Sequence, residues 1–358
     1  MKVWHLISNR WNSAISEYAL SAARALKQAG AETLVTPLQS SPIEARFQAH
    51  GFNVESVENF GPAKYARLFS LSKNFEPNLI FTYGGPETTA AIFVKNGRKL
   101  IRFYGQRADG LGVARQILGR MGHFHVDRLI APSRFVSEPL CGITGGGVDV
   151  VMLGCDHSKF AFVDVQRAKR PEILIFGRLD PVKGHREFFP VFKDLVSIAK
   201  SKGDPVPRLR IVGLPANLSL SHLRTEAEKF GLSQDDLTIQ CERVESVAAV
   251  MSECSLGLVS SIGSEVICRV AQEFLLCGTP VITTGVGSLP EIFVDKTFGD
   301  FYDHLQPKEA AAKIYQWLCT GHCEAKVQRQ TRALAAQRVF SIERMSEDLI
   351  KIAEATVS

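Results

Sequence analysis

Short runs of β-branched and aliphatic residues alternate along the chain with longer stretches whose apolar positions recur every three or four residues, the rhythm of a parallel sheet covered by helices. Residues 3–7 read as a buried strand. A polar loop with Asn9, Arg10, Trp11, Asn12 and Ser13 follows, and Ile15, Tyr18, Ala22, Leu26 and Ala29 then share one helical face until Gly30 ends it. Further strands are expected at 33–36, 78–83, 99–104, 128–131 and 148–153. A charged connector at 164–170 precedes Pro171, and the pattern restarts with a new first strand at 172–176. Strands at 208–212, 237–241, 255–260 and 280–284 interleave with helices near 185–201, 219–230, 245–253 and 265–277. The segments near 307–320, 324–338 and 341–356 read as helices only.

This alternation predicts an α/β chain of two Rossmann-like, doubly wound domains facing each other across a cleft, with C-terminal helices. The first domain is expected over residues 1–165 and the second over 171–335, with a helix at 336–358 returning toward the first. In such sheets ligands bind outside the carboxyl ends of the strands, so the strand-to-helix loops are where chemistry is to be sought.

Composition narrows the class. The chain has 358 residues, 45% hydrophobic and 22% charged, and no run approaches the ~18 uninterrupted apolar residues of a membrane span. The opening run at 3–7 is too short and too polar for a signal-peptide core, so a cytoplasmic protein is expected. Of eight cysteines only the run Cys319-Thr320-Gly321-His322-Cys323 is clustered; without repeated C-x-x-C pairs, reduced thiols are expected rather than a metal clip.

The net charge of +5 is unevenly placed, with 18 Lys/Arg against 13 Asp/Glu in residues 1–165 and 24 against 24 in the remainder. Residues 92–135 hold nine Lys/Arg and two Asp/Glu, and within them Leu111, Ile117, Leu118, Met121 and Phe124 interleave with Arg115, Arg120, His123 and His125. Two readings stay open: a basic amphipathic surface for an anionic membrane or acceptor, or a helix packed on its sheet with solvated charges. Nucleic acid is not expected, because aromatic stacking residues do not interleave with the basic ones.

The densest chemistry lies between Ser264 and Ile282. Glu265 falls in the loop after the strand at 255–260, and Glu273 lies eight residues on, inside a largely apolar helix ended by Gly278. A carboxylate in such a helix costs free energy unless it is partnered. Ribose or hexose hydroxyls supply partners, and a helix N-terminus between the two acids offers N–H groups to a phosphate. A second stretch, Phe176-Gly177-Arg178-Leu179-Asp180-Pro181-Val182-Lys183-Gly184-His185, follows the first strand of the second domain. Its Arg and Lys, five residues apart, could hold a diphosphate.

Together these stretches resemble the retaining glycosyltransferases of family four (glycosyl transferases group 1, GT-B fold). The glutamates resemble that family's E-x7-E motif, and the run from Gly177 to Gly184 its G-R-L-x-x-x-K-G motif. Further matches lie at 153–160, 210–213, 241–261 and 278–292. The resemblance implies that Arg178 and Lys183 bind the donor diphosphate, Glu265 the transferred sugar and Glu273 the ribose. It implies base contacts around Arg243 and Val244, close passage of the chain at Gly213, and donor contacts at Val266, Ile267 and Cys268. In the first domain it implies an acceptor side and closing loop at Asn12, Ser13, Ala14, Tyr104 and Arg107.

Three positions depart from the family pattern. Val266-Ile267-Cys268 replaces a common G-F-G, Ser13-Ala14 a common Gly-Gly, and Tyr104 a common His. A tyrosine is no base near neutral pH, but in a front-face retaining mechanism the departing phosphate oxygen takes the acceptor proton. The implied activity is transfer of a hexose-type sugar from a nucleotide diphosphate sugar to an anionic glycan or lipid-linked acceptor, in bacterial lipopolysaccharide or surface polysaccharide synthesis. Peripheral contact with the inner membrane surface is a further expectation. The alternatives are a nucleotide-sugar epimerase of the same fold and a catalytically silent sugar-nucleotide-binding subunit. No H-E-x-x-H or G-x-S-x-G motif occurs, and the run from Gly285 to Pro290 breaks the dinucleotide fingerprint at its last position. No D-x-D triplet occurs either, so no cofactor or metal is expected and the leaving group's charge falls to Arg178, Lys183 and a helix dipole. EDTA is therefore expected to leave acceptor-dependent release of nucleoside diphosphate unchanged.

Overall fold

The computed structural model describes residues 1–358 except Asn12, 107–124, 145, 146, Ala168, Ser264 and Cys268, and the side chains at 143, 144 and 321–323 also lie outside the description. Asn12, Arg107 and Cys268 of the expected site, the His322 and Cys323 side chains, and much of the basic run at 92–135 are thus outside the described residues. The chain divides into two compact units, Met1–Gly154 with Ile342–Ser358, and Cys155–Ser341.

The first unit is a parallel sheet of β1 (Lys2–Ile7), β2 (Glu32–Pro37), β3 (Asn53–Val54), β4 (Leu79–Thr82), β5 (Lys99–Phe103), β6 (Arg128–Ala131) and β7 (Asp149–Val150). Their order is β3-β2-β1-β4-β5-β6-β7. Val3 pairs with Thr33 on one side and Leu79 on the other, so the strand order reverses direction between β1 and β4. Burial on both faces explains why β1 is apolar almost throughout. Helices α1 (Ala14–Gln28), α2 (Pro42–Ala49), α3 (Tyr65–Phe75), α4 (Gly85–Val94) and α5 (Arg134–Thr144) join the strands. Ser13 caps α1 by accepting from the Ser16 N–H, and Tyr18 stacks on Phe103 at 3.8 Å while donating to the Val151 carbonyl at 3.0 Å.

The second unit repeats the plan with β8 (Glu172–Phe176), β9 (Arg208–Val212), β10 (Leu237–Gln240), β11 (Leu256–Val259), β12 (Val281–Thr284) and β13 (Gly299–Tyr302). All pair in parallel in the order β10-β9-β8-β11-β12-β13, with the reversal between β8 and β11. The edge strand β13 is absent from the sequence reading, because Gly299 and Asp300 are poor strand formers and the segment is only half apolar. Helices α6 (His185–Lys202), α7 (Leu220–Lys229), α8 (Val247–Glu253), α9 (Arg269–Leu276), α10 (Pro307–Cys323) and α11 (Lys326–Phe340) complete it. In the core between α6 and the sheet, Phe188, Phe189 and Phe192 are fully buried. Arg332 is buried on α11, donating to Glu324 and to the Gly278 carbonyl. Beyond Ser341 the chain rejoins the first unit, where α12 (Ile342–Val357) packs on α1 and Ser346 donates to the Ala25 carbonyl at 2.9 Å. No helix among the described residues is long and apolar enough to cross a membrane.

His5 sits fully buried in β1 with Nδ1 2.9 Å from the Tyr83 hydroxyl, and burial pushes its pKa from 6.5 down to about 3. The unfolded chain binds a proton at His5 near the ordinary value and the folded chain does not, so its contribution is full above that value and is lost as pH falls toward about 3. Urea unfolding across this window is expected to show stability falling by up to ~1.4 kcal/mol per pH unit from this group. His5→Phe is expected to flatten that slope.

Candidate functional site

The site of the second unit grows from three strand ends. After β8, the Asp180 carboxylate accepts from the Val182 N–H at 3.1 Å and from the Asn217 amide at 2.8 Å, fixing a 3-10 turn over Pro181–Lys183. Burial alone would raise the Asp180 carboxyl, but these donors and the nearby Arg178 and Lys183 hold it below its usual value. The turn presents Lys183 to the loop after β11. There the Glu265 carboxylate, 6% exposed, accepts at one oxygen from Lys183 Nζ and from Ser261 Oγ, each at 2.5 Å. The same two loops are joined along the backbone: Ser260 Oγ donates to the Lys183 carbonyl at 2.8 Å and Ile262 N–H to the Val182 carbonyl at 3.0 Å.

The loop after β12 closes the arrangement. Ser288 donates its N–H at 2.9 Å to the Glu265 carbonyl and its hydroxyl at 2.9 Å to the Val266 carbonyl. This approach depends on Gly287, whose φ is +64° and where a Cβ would lie 1.9 Å from the Glu265 carbonyl oxygen. Glu273, on the second turn of α9, is buried and accepts from Arg269 Nε one turn earlier at 2.7 Å. The helix begins at Arg269, not at 265, so its N-terminus stands between the two acids.

A cavity of about 440 Å³ opens here, lined by Gly177, Lys183, His185, Glu265, Ile267 and Glu273 among others. His185 is buried, and desolvation lowers its pKa, so its imidazole is neutral near pH 7. With Nε2 3.2 Å from the Arg178 carbonyl, that nitrogen carries the proton and Nδ1, which has no hydrogen-bond partner, is a free acceptor. Two cations, Lys183 and Arg269, two carboxylates and an imidazole thus border one largely apolar cavity at the reversal point of the sheet, a place suited to a polyhydroxylated, phosphorylated ligand.

Several expected residues stand outside this lining. The Arg178 side chain is 62% exposed, with Nε 3.6 Å from Asp180 Oδ2. Gly213 lies behind the cavity rather than in it; a Cβ there would come 1.8 Å from the carbonyl oxygen of Gly177, which does line it. Arg243 is exposed and Val244 half-buried in the loop after β10, and neither borders the cavity. The Val266 carbonyl accepts from the Ser288 hydroxyl and Val266 is not among the lining residues, whereas Ile267 lines the space. Sequence reasoning passed over Ser261, Arg269, Gly287 and Ser288. The four-residue spacing of Arg269 and Glu273 was a legible signal; the serines and Gly287 become legible only once three loops are brought together.

In the first unit, Ser13 caps α1 and accepts from Asn9 Nδ2 at 2.8 Å, and Ala14 is the exposed first residue of that helix. Tyr104 is half-buried beneath the Arg102 guanidinium, 4.1 Å from its ring, and burial raises its phenol pKa. Tyr104 borders a second cavity of about 330 Å³, with Ser8, Asn9, Glu87, Arg102 and Gly105. Glu87 and Arg102 were not anticipated.

Two doubly wound parallel units, one holding paired acids and a lysine at its strand reversal, define the class of GT-B glycosyltransferases. Residues 157–334 match the family described as Glycosyl transferases group 1, and through that domain the chain belongs to the family. Its fold is shared over the whole chain with solved proteins of low identity. A glycosyltransferase from Rickettsia africae ESF-5 superposes with a TM-score of 0.84 at 13% identity, covering 100% of this chain and 98% of that one. Anabaena Alr3699/HepE, solved in complex with UDP, superposes with a TM-score of 0.81 at 17% identity, covering 99% and 100%. In sequence, D-inositol 3-phosphate glycosyltransferase of Segniliparus rotundus is 28% identical over 177 residues, 47% of this chain and 38% of that protein. The matched region spans less than half the length of such curated relatives.

Gly287→Ala is expected to destabilise the protein by at least the ~1–2 kcal/mol of a left-handed non-glycine residue, plus the cost of moving the Glu265 carbonyl. Urea unfolding measures the loss.

Proposed function

We propose that the chain is a retaining glycosyltransferase that moves a hexose-type sugar from a nucleotide diphosphate sugar to a glycan or glycolipid acceptor. The observation that carries this reading is the buried Glu265 carboxylate held by Lys183 beside Glu273 at the rim of one cavity. Glu265 Oε1 already accepts twice, which leaves Oε2 for a sugar hydroxyl. Lys183 is 28% exposed and remains open to a diphosphate oxygen. Glu273, anchored by Arg269, takes the ribose hydroxyls, and neutral His185 offers an acceptor nitrogen to a further hydroxyl. The exposed Arg178 swings from Asp180 onto the diphosphate, where its fork matches paired phosphate oxygens. Gly213 keeps the chain close behind Gly177, and Arg243 and Val244 meet the base from the loop after β10. Val266 and Ile267 contact the donor through their backbone.

In this reading charge on the departing diphosphate is stabilised by Lys183 and Arg178 without a metal, and the phosphate oxygen takes the acceptor proton, so Tyr104 need not act as a base. Ser13, Ala14 and Tyr104 lie on the acceptor side. A cytoplasmic role in bacterial lipopolysaccharide or surface polysaccharide synthesis, with peripheral membrane contact, follows by analogy with the family. The captured complex of HepE with UDP is consistent with a uridine donor.

A thermal-shift panel of nucleotide sugars tests the donor assignment. At a ligand concentration about 100 times Kd the wild type is expected to gain ~2.7 kcal/mol, and Arg178→Ala and Glu273→Ala are expected to lose most of that gain. Equal shifts for all three proteins count against it. Acceptor-dependent release of nucleoside diphosphate separates the transferase from an epimerase, which turns over without acceptor, and from a silent binding subunit, which does not turn over.

A further inference from the structure

The cavity of the first unit has the same topological address as that of the second. Ser8 and Asn9 follow β1, while Gly84 and Glu87 follow β4, and these are the two strands between which the sheet reverses. Its polar lining is unfinished in a specific way. Glu87, on the first turn of α4, is 1% exposed. Its Oε1 accepts from the Ser8 N–H at 3.1 Å, but Oε2 is buried with no hydrogen-bond partner. Arg102, at the end of β5, likewise has a buried Nε without a partner, its guanidinium lying over the Tyr104 ring. A buried polar atom left unpaired costs about 1–3 kcal/mol, and this cavity holds one orphan acceptor and one orphan donor.

The backbone leaves room beside the carboxylate. A Cβ at Gly84 would lie 3.0 Å from both Glu87 oxygens and 3.1 Å from Ser8 Oγ, so the glycine leaves the carboxylate its room. Tyr83 and Phe103 add apolar faces to the same lining. A phosphate or carboxylate ligand would meet Glu87 at close range, whereas a neutral polyol satisfies both orphans at once. One hydroxyl donates to Glu87 Oε2, a second accepts from Arg102 Nε–H, and the sugar's C–H face rests on an aromatic ring.

We infer that the Glu87–Arg102 pair reads two hydroxyls of a neutral sugar ring, the terminal saccharide unit of the acceptor, and sets acceptor specificity. The assignment to an acceptor rests on the glycosyltransferase reading; binding of the sugar to this cavity does not. Burial raises the Glu87 carboxyl above its usual pKa, which fits a group awaiting a hydrogen-bond partner.

The test is titration of the full chain with glucose, galactose and mannose at millimolar concentration, followed by saturation-transfer NMR, in parallel with UDP-glucose. Glu87→Gln keeps the side chain's shape: its carbonyl oxygen stays on the Ser8 N–H and its amide nitrogen replaces the free acceptor. At least one hexose is expected to bind wild type, and to bind Glu87→Gln about tenfold or more weakly, the loss of a hydrogen bond to a charged group. Arg102→Lys, which keeps the charge but lacks the Nε–H, is expected to weaken the same hexose in the same direction. Melting temperatures of both variants establish that they fold. UDP-glucose affinity is expected to stay at the wild-type value in both. Hexose binding indifferent to both substitutions, or absent from wild type, overturns the inference. Equal weakening of UDP-glucose and hexose overturns the assignment to the acceptor, placing the donor's own sugar in the cavity. Failure of UDP-glucose to bind any of the proteins, with Glu87-dependent hexose binding intact, removes the uridine donor and leaves the sugar site standing.

Discussion

The second unit's site depends on one buried carboxylate. Glu265 is reached by Lys183 from the loop after β8, by Ser261 from its own loop, and at its carbonyl by Ser288 from the loop after β12. An ion pair this buried returns little net stability, because desolvation offsets the attraction between the charges. Its effect is positional: three loops spread along the sequence from Lys183 to Ser288 are fixed to one another within hydrogen-bonding distance. The constraint holds Lys183 and Glu265 together at the rim of the cavity.

Close backbone contact makes the constraint possible. Gly213 behind the cavity and Gly287 above it occupy places where a methyl group would overlap a carbonyl oxygen. At Val266, where the resemblance leads one to expect a glycine, the close backbone approach comes from the neighbouring loop instead, through Gly287. Ser288 holds the backbone at 265 and 266 while Ile267 lines the cavity.

Much of this was legible in the sequence. The alternation of apolar runs located the main strands, since strands buried on both faces must be apolar throughout. The acids eight residues apart, and the lysine after the first strand of the repeat, pointed to one cavity. What sequence could not supply was side-chain direction and partnership. Arg178 and Lys183 share a loop, yet one turns to Asp180 and solvent while the other turns to Glu265. Glu87 stands alone in a run of small residues, and only the return of β1 beside β4 brings Ser8 to one of its oxygens and leaves the other free. Arg329 and Arg332 are buried on α11, where they donate to the Ser252 and Gly278 carbonyls, partners that no local sequence pattern announces.

The helix α12 has a consequence for biosynthesis. It belongs to the first unit although the whole second unit is encoded before it, and the two crossings between units are linked where the Cys155 N–H donates to the Phe340 carbonyl at 2.7 Å. On a ribosome the second unit has all of its strands while the first still lacks the helix that covers α1. Throughout synthesis of the second unit the first still lacks that covering helix, so the unit whose chain begins first is the one whose chain is completed last.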